Sequence, residues 1–399
     1  ILELKFPRGT QLKNKIDPTD RNAVQRTYAN HDILLGIASP HNGVVDRRLY
    51  EDLPSGFANK IAMSELEFNA TRPSRFTMIS PLFWIDAGLA DNPSTAAFDP
   101  VETGILPFQF PQSGLPSYMD RSENRVLVPT ERGELTLAFD PYLVQWAGTQ
   151  VSVFRYDPIL KMWENIGGKV DTRNNTVTVP FDQFGYYAVM KLQYSFTDIT
   201  SHPYARDEMD AIYAKGVMLS FDDDAFGANN NITRGEFAAM VVRALQIPLN
   251  YDNRNLHFDD VSTVIVPGSL WDYRFIETAA REGILQGMAP RRFEPYTPIN
   301  REQAAVILAR ALELKLEVNR TKIDQDLAKQ FQDYSAIEYY ARPAVIAVVK
   351  AGLMKGRPVD ANDPESGLVF EPKDNLLRSD AAIMMSRLMA SRKLLPEMN

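Results

Sequence analysis

The chain has 399 residues, 45% of them hydrophobic and 24% charged, with a formal net charge of -8 and no cysteine. That length is enough for two or three domains of about 150 residues and a sizeable core, which excludes a disordered chain. The acidic balance argues against nucleic acid as the main partner, and the lack of thiols excludes disulfides, CxxC redox chemistry, cysteine nucleophiles and cysteine zinc sites. A thiol-free chain also fits life outside a cell. No run of about 18 apolar residues exists to cross a membrane. No signal peptide stands at Ile1, so the sequence reads as one without a leader or as a processed or trimmed piece.

From Ile1 to about Lys191 the apolar pattern has period two, as in Leu2 to Phe6, Leu135 to Phe139, Val151 to Tyr156, Val177 to Val179 and Tyr186 to Met190. Such alternation predicts half-buried strands, separated by turn signals at Asp140-Pro141, Gly167-Gly168 and Asp171 to Asn175. The expectation is an antiparallel β-sandwich-like region, with residues 1–115 a β-rich part of unassigned function and 116–193 a compact β module. The proline-dense stretch Pro107 to Pro116 reads as the join, and residues 7–60 as loops and turns.

From about Phe196 the period becomes 3.6 and the sequence repeats itself. Gly216, Gly283 and Gly352 anchor three units, with apolar residues seven, four and three positions earlier: Met209, Ile212, Tyr213; Ile276, Ala279, Ala280; Val345, Val348, Val349. Each set is one helix face closed by a glycine suited to the left-handed C-terminal position. An aromatic (Tyr204, Trp271, Tyr340) stands twelve residues before each Gly, and Phe-x-Asp stands further upstream, ending in Asp198, Asp260 and Asp333. Downstream, Phe226, Phe293 and Phe370 each precede an arginine by eight residues: Arg234, Arg301 and Arg378. Nine residues later come Arg243, Arg310 and Arg387. Thr233 with Glu236, and Asn300 with Gln303, read as capping boxes, whereas Leu377 offers no cap oxygen, so the third such helix should fray more readily.

Phe-x-Asp, an aromatic, a Gly-closed helix, Phe-x-Pro and Ile-Thr-Arg-x-Glu together resemble S-layer homology repeats, in three tandem copies at 194–256, 257–329 and 330–399. The resemblance implies an all-α pseudo-threefold trimer within one chain, one helix per repeat forming a central bundle and the others forming prongs with grooves between them. It also implies non-covalent attachment of a bacterial surface protein to the cell wall, by a secondary wall polysaccharide carrying an acidic pyruvate ketal. The β segment from Val151 to Val189 is similar to β modules found directly upstream of such repeats. Departures are Tyr204 for the usual Trp, no Pro after Phe226, Ser220 where the others have Gly287 and Gly356, Asn300 and Gln303 in repeat two, and Leu-Arg-Ser-Asp at 377–380. Not all three grooves therefore need bind.

An acidic sugar needs a cation, acceptors for its hydroxyls and an aromatic face. Arg234, Arg301 and Arg378 sit in a first helical turn, where dipole and free N–H groups favour an anion and a guanidinium adds a fork for a carboxylate. Alternatively each pairs with a nearby acid and braces the helix start. On the ligand reading, Arg234→Ala or Arg301→Ala lowers glycan affinity while thermal unfolding barely moves. Asp198, Asp260 and Asp333 either accept sugar hydroxyls or cap the following turn. Tyr204, Trp271 and Tyr340 either stack on sugar or lid each repeat's core. Arg243, Arg310 and Arg387 are expected to link prongs through carboxylates. The loop Asp222 to Asn231 departs from the calcium-loop pattern and reads as solvated. His31, His41, His202 and His257 form no zinc spacing, and no GxSxG, Walker or GxGxxG motif occurs. The sequence thus points to an extracellular, non-enzymatic wall anchor without metal or cofactor. A wall-tethered polysaccharide hydrolase, with catalysis in or upstream of the β-rich half, and a lattice-forming S-layer subunit stay open.

Overall fold

A computed structural model describes residues 2–15, 24–25, 27, 32–38, 70–90, 127–143, 146–157 and 162–398. The stretch 107–116, expected to be a join, and His31 and His41 lie outside these residues. The chain divides into two compact units: Ile1–Ser195 with Ala214–Gly216, and Phe196–Tyr213 with Val217–Asn399.

The first unit is built of antiparallel strands: β1 (Leu2–Lys5), β2 (Leu12–Asn14), β3 (Asp32–Ala38), β4 (Phe76–Met78), β5 (Phe83–Ala90), β6 (Leu127–Pro129) and β7 (Gly133–Ala138), then, after a single helical turn, α1 (Ala147–Gln150), β8 (Val151–Asp157), β9 (Met162–Gly167), β10 (Lys169–Asp171), β11 (Thr176–Phe181) and β12 (Gly185–Leu192). One sheet runs β1-β7-β11-β10; a second runs β3-β5-β12-β8-β9, with β4 also on β12. β2 and β6 form a separate ribbon. The period-two pattern does its expected work in β7, where Leu135 and Leu137 are buried and Glu134 is exposed. Residues of both sheets, among them Leu135, Val177, Val153 and Val189, enter one buried cluster. β8 is buried on its other face too, where Phe154 meets Phe76 edge-on and Tyr156 meets Trp163.

Two expectations change here. Asp32–Ala38 is a strand where loops were expected, because its seven residues pair in register with β5. Strands from both sides of residue 115 share sheets: β1 pairs with β7, and β5 pairs with β12. Such pairing over more than a hundred residues leaves no local trace in the sequence. At Gly167-Gly168, where a turn was expected, β9 passes into β10 over a single residue, with positive φ at both glycines, and a Cβ on Gly168 would lie 2.5 Å from Val177. Lys215 is buried in this unit and donates from Nζ to Val151 O (2.6 Å) and Gly168 O (3.0 Å).

The second unit is mostly helical: α2 (Thr197–Thr200), α3 (Arg206–Ala214), α4 (Arg234–Ala244), α5 (Tyr273–Arg281), α6 (Arg301–Ala311), α7 (Arg320–Gln330), α8 (Arg342–Lys350) and α9 (Arg378–Ser391). It is not purely so. The third repeat reaches its Phe fourteen residues after Gly356, against six after Gly287 and Ser220, and the surplus folds into a hairpin of β13 (Arg357–Asp360) and β14 (Asp363–Val369). Met209, Ile212, Ile276, Ala279, Val345 and Val348 are buried as the helical face requires. Gly216, Gly283 and Gly352 take φ of 66°, 70° and 73°, the left-handed closure anticipated for each. In α4 every residue but Arg243 is buried, which marks a helix enclosed on all sides.

The starts of α4, α6 and α9 are joined in a cycle. Ile299 N donates to Ile232 O, Ile232 N to Leu376 O, and Leu376 N to Ile299 O, at 2.9–3.1 Å. The first N–H groups of each helix, which have no partner inside it, donate to another repeat: Arg234 and Gly235 to Thr297 and Pro295, Arg301 and Glu302 to Asp374 and Pro372, Arg378 and Ser379 to Asn230 and Ala228.

Candidate functional site

Three residues per repeat build one connector. Phe293 N donates to Asp260 Oδ1 (2.9 Å) and Glu294 N to Oδ2 (2.7 Å) within repeat two. Phe293 O accepts from Nε of Arg234 (3.0 Å), which belongs to repeat one, and the guanidinium lies 4.8 Å from the Phe293 ring. Asp333, Phe370 and Arg301 repeat this arrangement, as do Asp198, Phe226 and Arg378. The second carbonyls are Gln286 O for Arg234 (3.2 Å), Lys355 O for Arg301 (2.9 Å) and Leu219 O for Arg378 (2.5 Å). Each arginine thus grips the next repeat, and the third grips the first.

These positions show what each residue does within the fold. The three aspartates cap the Phe loops. Burial raises the pKa of Asp198 and Asp260, but the backbone N–H bonds outweigh it and hold both below the ordinary carboxylate value. Each of the three arginines braces through two carbonyls of another repeat, and they are 1–3% exposed. Arg378 adds a buried ion pair with Glu236, and burial pushes its pKa down to about 10. That pair changes the expected capping box of repeat one. Thr233 Oγ1 accepts from Glu236 N at 3.2 Å, while the Glu236 carboxylate turns to Arg378. Asn300 and Gln303 complete theirs. Leu377 caps nothing with its side chain, as anticipated. Arg243 and Arg387 donate to Leu270 O and Leu353 O, and Arg310 to Gln286 Oε1.

Two of the aromatics stand clear of the core, whereas Trp271 is partly buried against it. Tyr204 and Tyr340 are 57% and 60% exposed. Trp271 rests on the start of α4, where a Cβ on Gly235 would come within 2.6 Å of the indole, and its outer side meets Tyr296 at 5.1 Å. Beside Tyr340, the buried Glu302 is held by Lys373 Nζ at 2.5 Å, and Lys373 also bonds Glu338. Asp222 Oδ1 accepts from Asp224 N and Ala225 N, so that loop folds on itself. Among the described residues no group of three or more His, Asp or Glu is placed to hold a metal ion.

One cleft, of about 350 Å³, draws on all three repeats: Tyr204 from the first, Arg301 from the second, and Lys355, Arg357, Asp380 and Arg387 from the third. Its volume falls in the range of about 300–1,000 Å³ usual for small-ligand sites. Burial and then the neighbouring Arg357 charge lower the pKa of Arg301. The charged neighbours of Arg234 include Glu294, and those of Arg378 include Glu236 and Asp198, all of them acids. The cleft therefore concentrates cations in an acidic chain. Tyr204, Arg301 and Arg387 were singled out in the sequence, and Asp380 stood in the departure at 377–380; Lys355 and Arg357 were not, and the trace of Arg357 was the surplus length after Gly356.

Residues 195–238, 266–305 and 330–382 match the S-layer homology domain family. An amylopullulanase of Thermoanaerobacterium thermosulfurigenes is 30% identical over 236 residues, 59% of this chain and 12% of that protein. That stretch is longer than the run from Phe196 to Asn399, so the likeness extends into the β-rich unit. The exoglucanase XynX of Acetivibrio thermocellus is 27% identical over 49% of this chain and 16% of its own length. An S-layer protein of Bacillus thuringiensis subsp. finitimus is 25% identical over 48% and 21%. The chain matches well under two thirds of the length of each of these relatives. With the repeat offsets, the cyclic connectors and these matches together, the chain is a cell-surface protein carrying three tandem S-layer homology domains.

Proposed function

We propose that residues 194–399 hold this protein on a bacterial cell wall by binding an acidic wall polysaccharide. The observation that carries the reading is the cleft of Tyr204, Arg301 and Arg357. It offers an exposed ring for the apolar face of a sugar and the Arg357 guanidinium for a carboxylate, with the buried charge of Arg301 beside it. Arg234 and Arg378 act in this reading as connectors that hold the grooves in shape. Trp271 and Tyr340 are further ring platforms in surroundings of other chemistry, one beside Gly235 and Tyr296, the other beside Glu302 and Lys373. The cyclic hydrogen bonds through Ile232, Ile299 and Leu376 support a pseudo-threefold arrangement of the repeats. The cluster shared by the two sheets supports a sandwich-like first unit. In this reading the repeats are non-catalytic and the protein is extracellular and wall-associated.

The test is co-sedimentation of the chain with purified cell-wall sacculi, before and after hydrofluoric acid strips the attached polysaccharide. The reading expects binding that is lost on stripping. Binding that survives stripping assigns recognition to peptidoglycan instead. A second reading, favoured by the amylopullulanase and exoglucanase among the relatives, makes the anchor part of a polysaccharide hydrolase. Reducing-sugar release from starch, xylan and glucan by the full protein tests it. The S-layer relatives likewise raise self-association into a lattice, which electron microscopy of the chain with and without calcium would reveal.

A further inference from the structure

The hairpin after Gly356 sets the third repeat apart, and its first residue lines the cleft. The positions that correspond to Arg357 are Met288 in repeat two and Phe221 in repeat one, neither of them charged. Gly356 brings the strand close: a Cβ there would sit 2.6 Å from the Phe331 ring and 3.1 Å from Leu368. Arg357 pairs with Val369 across the hairpin, which fixes its Cα. Its guanidinium is divided between two acids, with Nη1 on Glu371 and Nη2 on Asp380, each at 2.7 Å. Asp380 lies in the first turn of α9, where the helix dipole stabilises a carboxylate that has lost its partner.

We infer that Arg357 is the residue that reads the ligand's carboxylate in this cleft, and that the ligand takes the place of Asp380 on Nη2 while Glu371 keeps Nη1. This rests on the anchoring reading above and adds the source of its charge selectivity. A neutral sugar has nothing to exchange for Asp380, so it leaves the internal pair closed. A carboxylate restores the charge-assisted bond that Nη2 gives up, and it also neutralises the like charge between Arg301 and Arg357. No covalent bond is made or broken in the exchange.

The two partners of the internal pair then have opposite effects on binding. Arg357→Gln should weaken sedimentation with intact sacculi by about tenfold or more, the size of one charge-assisted pair. Asp380→Asn, which frees Nη2, should leave binding as it is or tighten it. On sacculi whose ketal carboxylates have been removed by mild acid, Arg357→Gln and the parent chain should sediment alike. Arg357→Lys keeps a charge but loses the fork, and a loss of several-fold is expected there even if Arg357→Gln folds poorly. Equal weakening by Arg357→Gln and Asp380→Asn would overturn the inference, since it would make the pair a hairpin tie alone. Unchanged binding by Arg357→Gln would overturn it as well. A parent chain that ignores the attached polysaccharide would instead overturn the anchoring reading, and this one with it.

Discussion

Replacing Arg234 by Met removes one connector while keeping an unbranched side chain of similar reach. Two carbonyls, Phe293 O and Gln286 O, then lose their donors at 3.0 and 3.2 Å, and the Phe293 ring loses its cation at 4.8 Å. Phe293 O, left buried and unpaired, costs about 1–3 kcal/mol, whereas Gln286 is exposed and its carbonyl turns to water. The lost ring contact adds about 1 kcal/mol. Removing a buried charge, whose desolvation already lowers the Arg234 pKa, offsets part of this. The net destabilisation is about 2 kcal/mol, which at about 2–4 °C per kcal/mol lowers the melting temperature by about 4–8 °C. Differential scanning calorimetry of the full chain measures it. A shift below about 2 °C would refute the connector role and restore the ligand-facing role that the sequence alone allowed. Arg378→Met should cost more, about 3–5 kcal/mol, because it also strands the buried Glu236 carboxylate.

Three other outcomes follow from the same geometry. Gly235→Ala should displace Trp271, because the new Cβ meets the indole at 2.6–2.9 Å; a shifted Trp emission with a lower melting temperature is expected, despite the gain of about 1 kcal/mol in helix propensity. Asp260, held below its ordinary pKa in the fold, contributes stability that is present above the unfolded value of about 4 and is lost as pH falls through the folded value; Asp260→Asn should flatten that acid limb in pH-dependent unfolding, and an unchanged limb would remove the carboxylate from the connector. Lys215 runs the other way: burial pushes its pKa down to about 7 from 10.5, so between those values the unfolded chain binds the extra proton and stability rises with pH. Lys215→Met should abolish that rise, as followed by denaturant unfolding at pH 7 and pH 10.

Much of the second unit was legible because its offsets recur. A glycine after an apolar helix face needs a left-handed backbone wherever it occurs, and all three glycines have it. What the offsets could not convey is which repeat answers which. Arg378 donates to a carbonyl 152 residues earlier, and only closure of the cycle explains why its guanidinium is buried. The aspartates looked equally fit for sugar hydroxyls or caps, and the choice depended on three backbone N–H groups arriving from a loop some thirty residues on. The cleft's charge came from an insertion, visible as surplus length but not as an arginine aimed at a groove. In the first unit, alternation located strands such as β7 and β11 but not their neighbours, since β1 finds β7 across more than a hundred residues. Nothing in the helical pattern before Gly216 marks Lys215 for burial, which the β-rich unit imposes through the carbonyls of Val151 and Gly168.

The most direct test of the central claim is calorimetric titration of the full chain, and of its Tyr204→Ala variant, with a carboxylate-bearing oligosaccharide released from the wall polysaccharide. The account predicts saturable binding at one site per chain, lost in Tyr204→Ala while its melting temperature holds, because Tyr204 is a half-exposed cleft wall rather than a connector. Three equivalent sites, or binding indifferent to Tyr204, would contradict it.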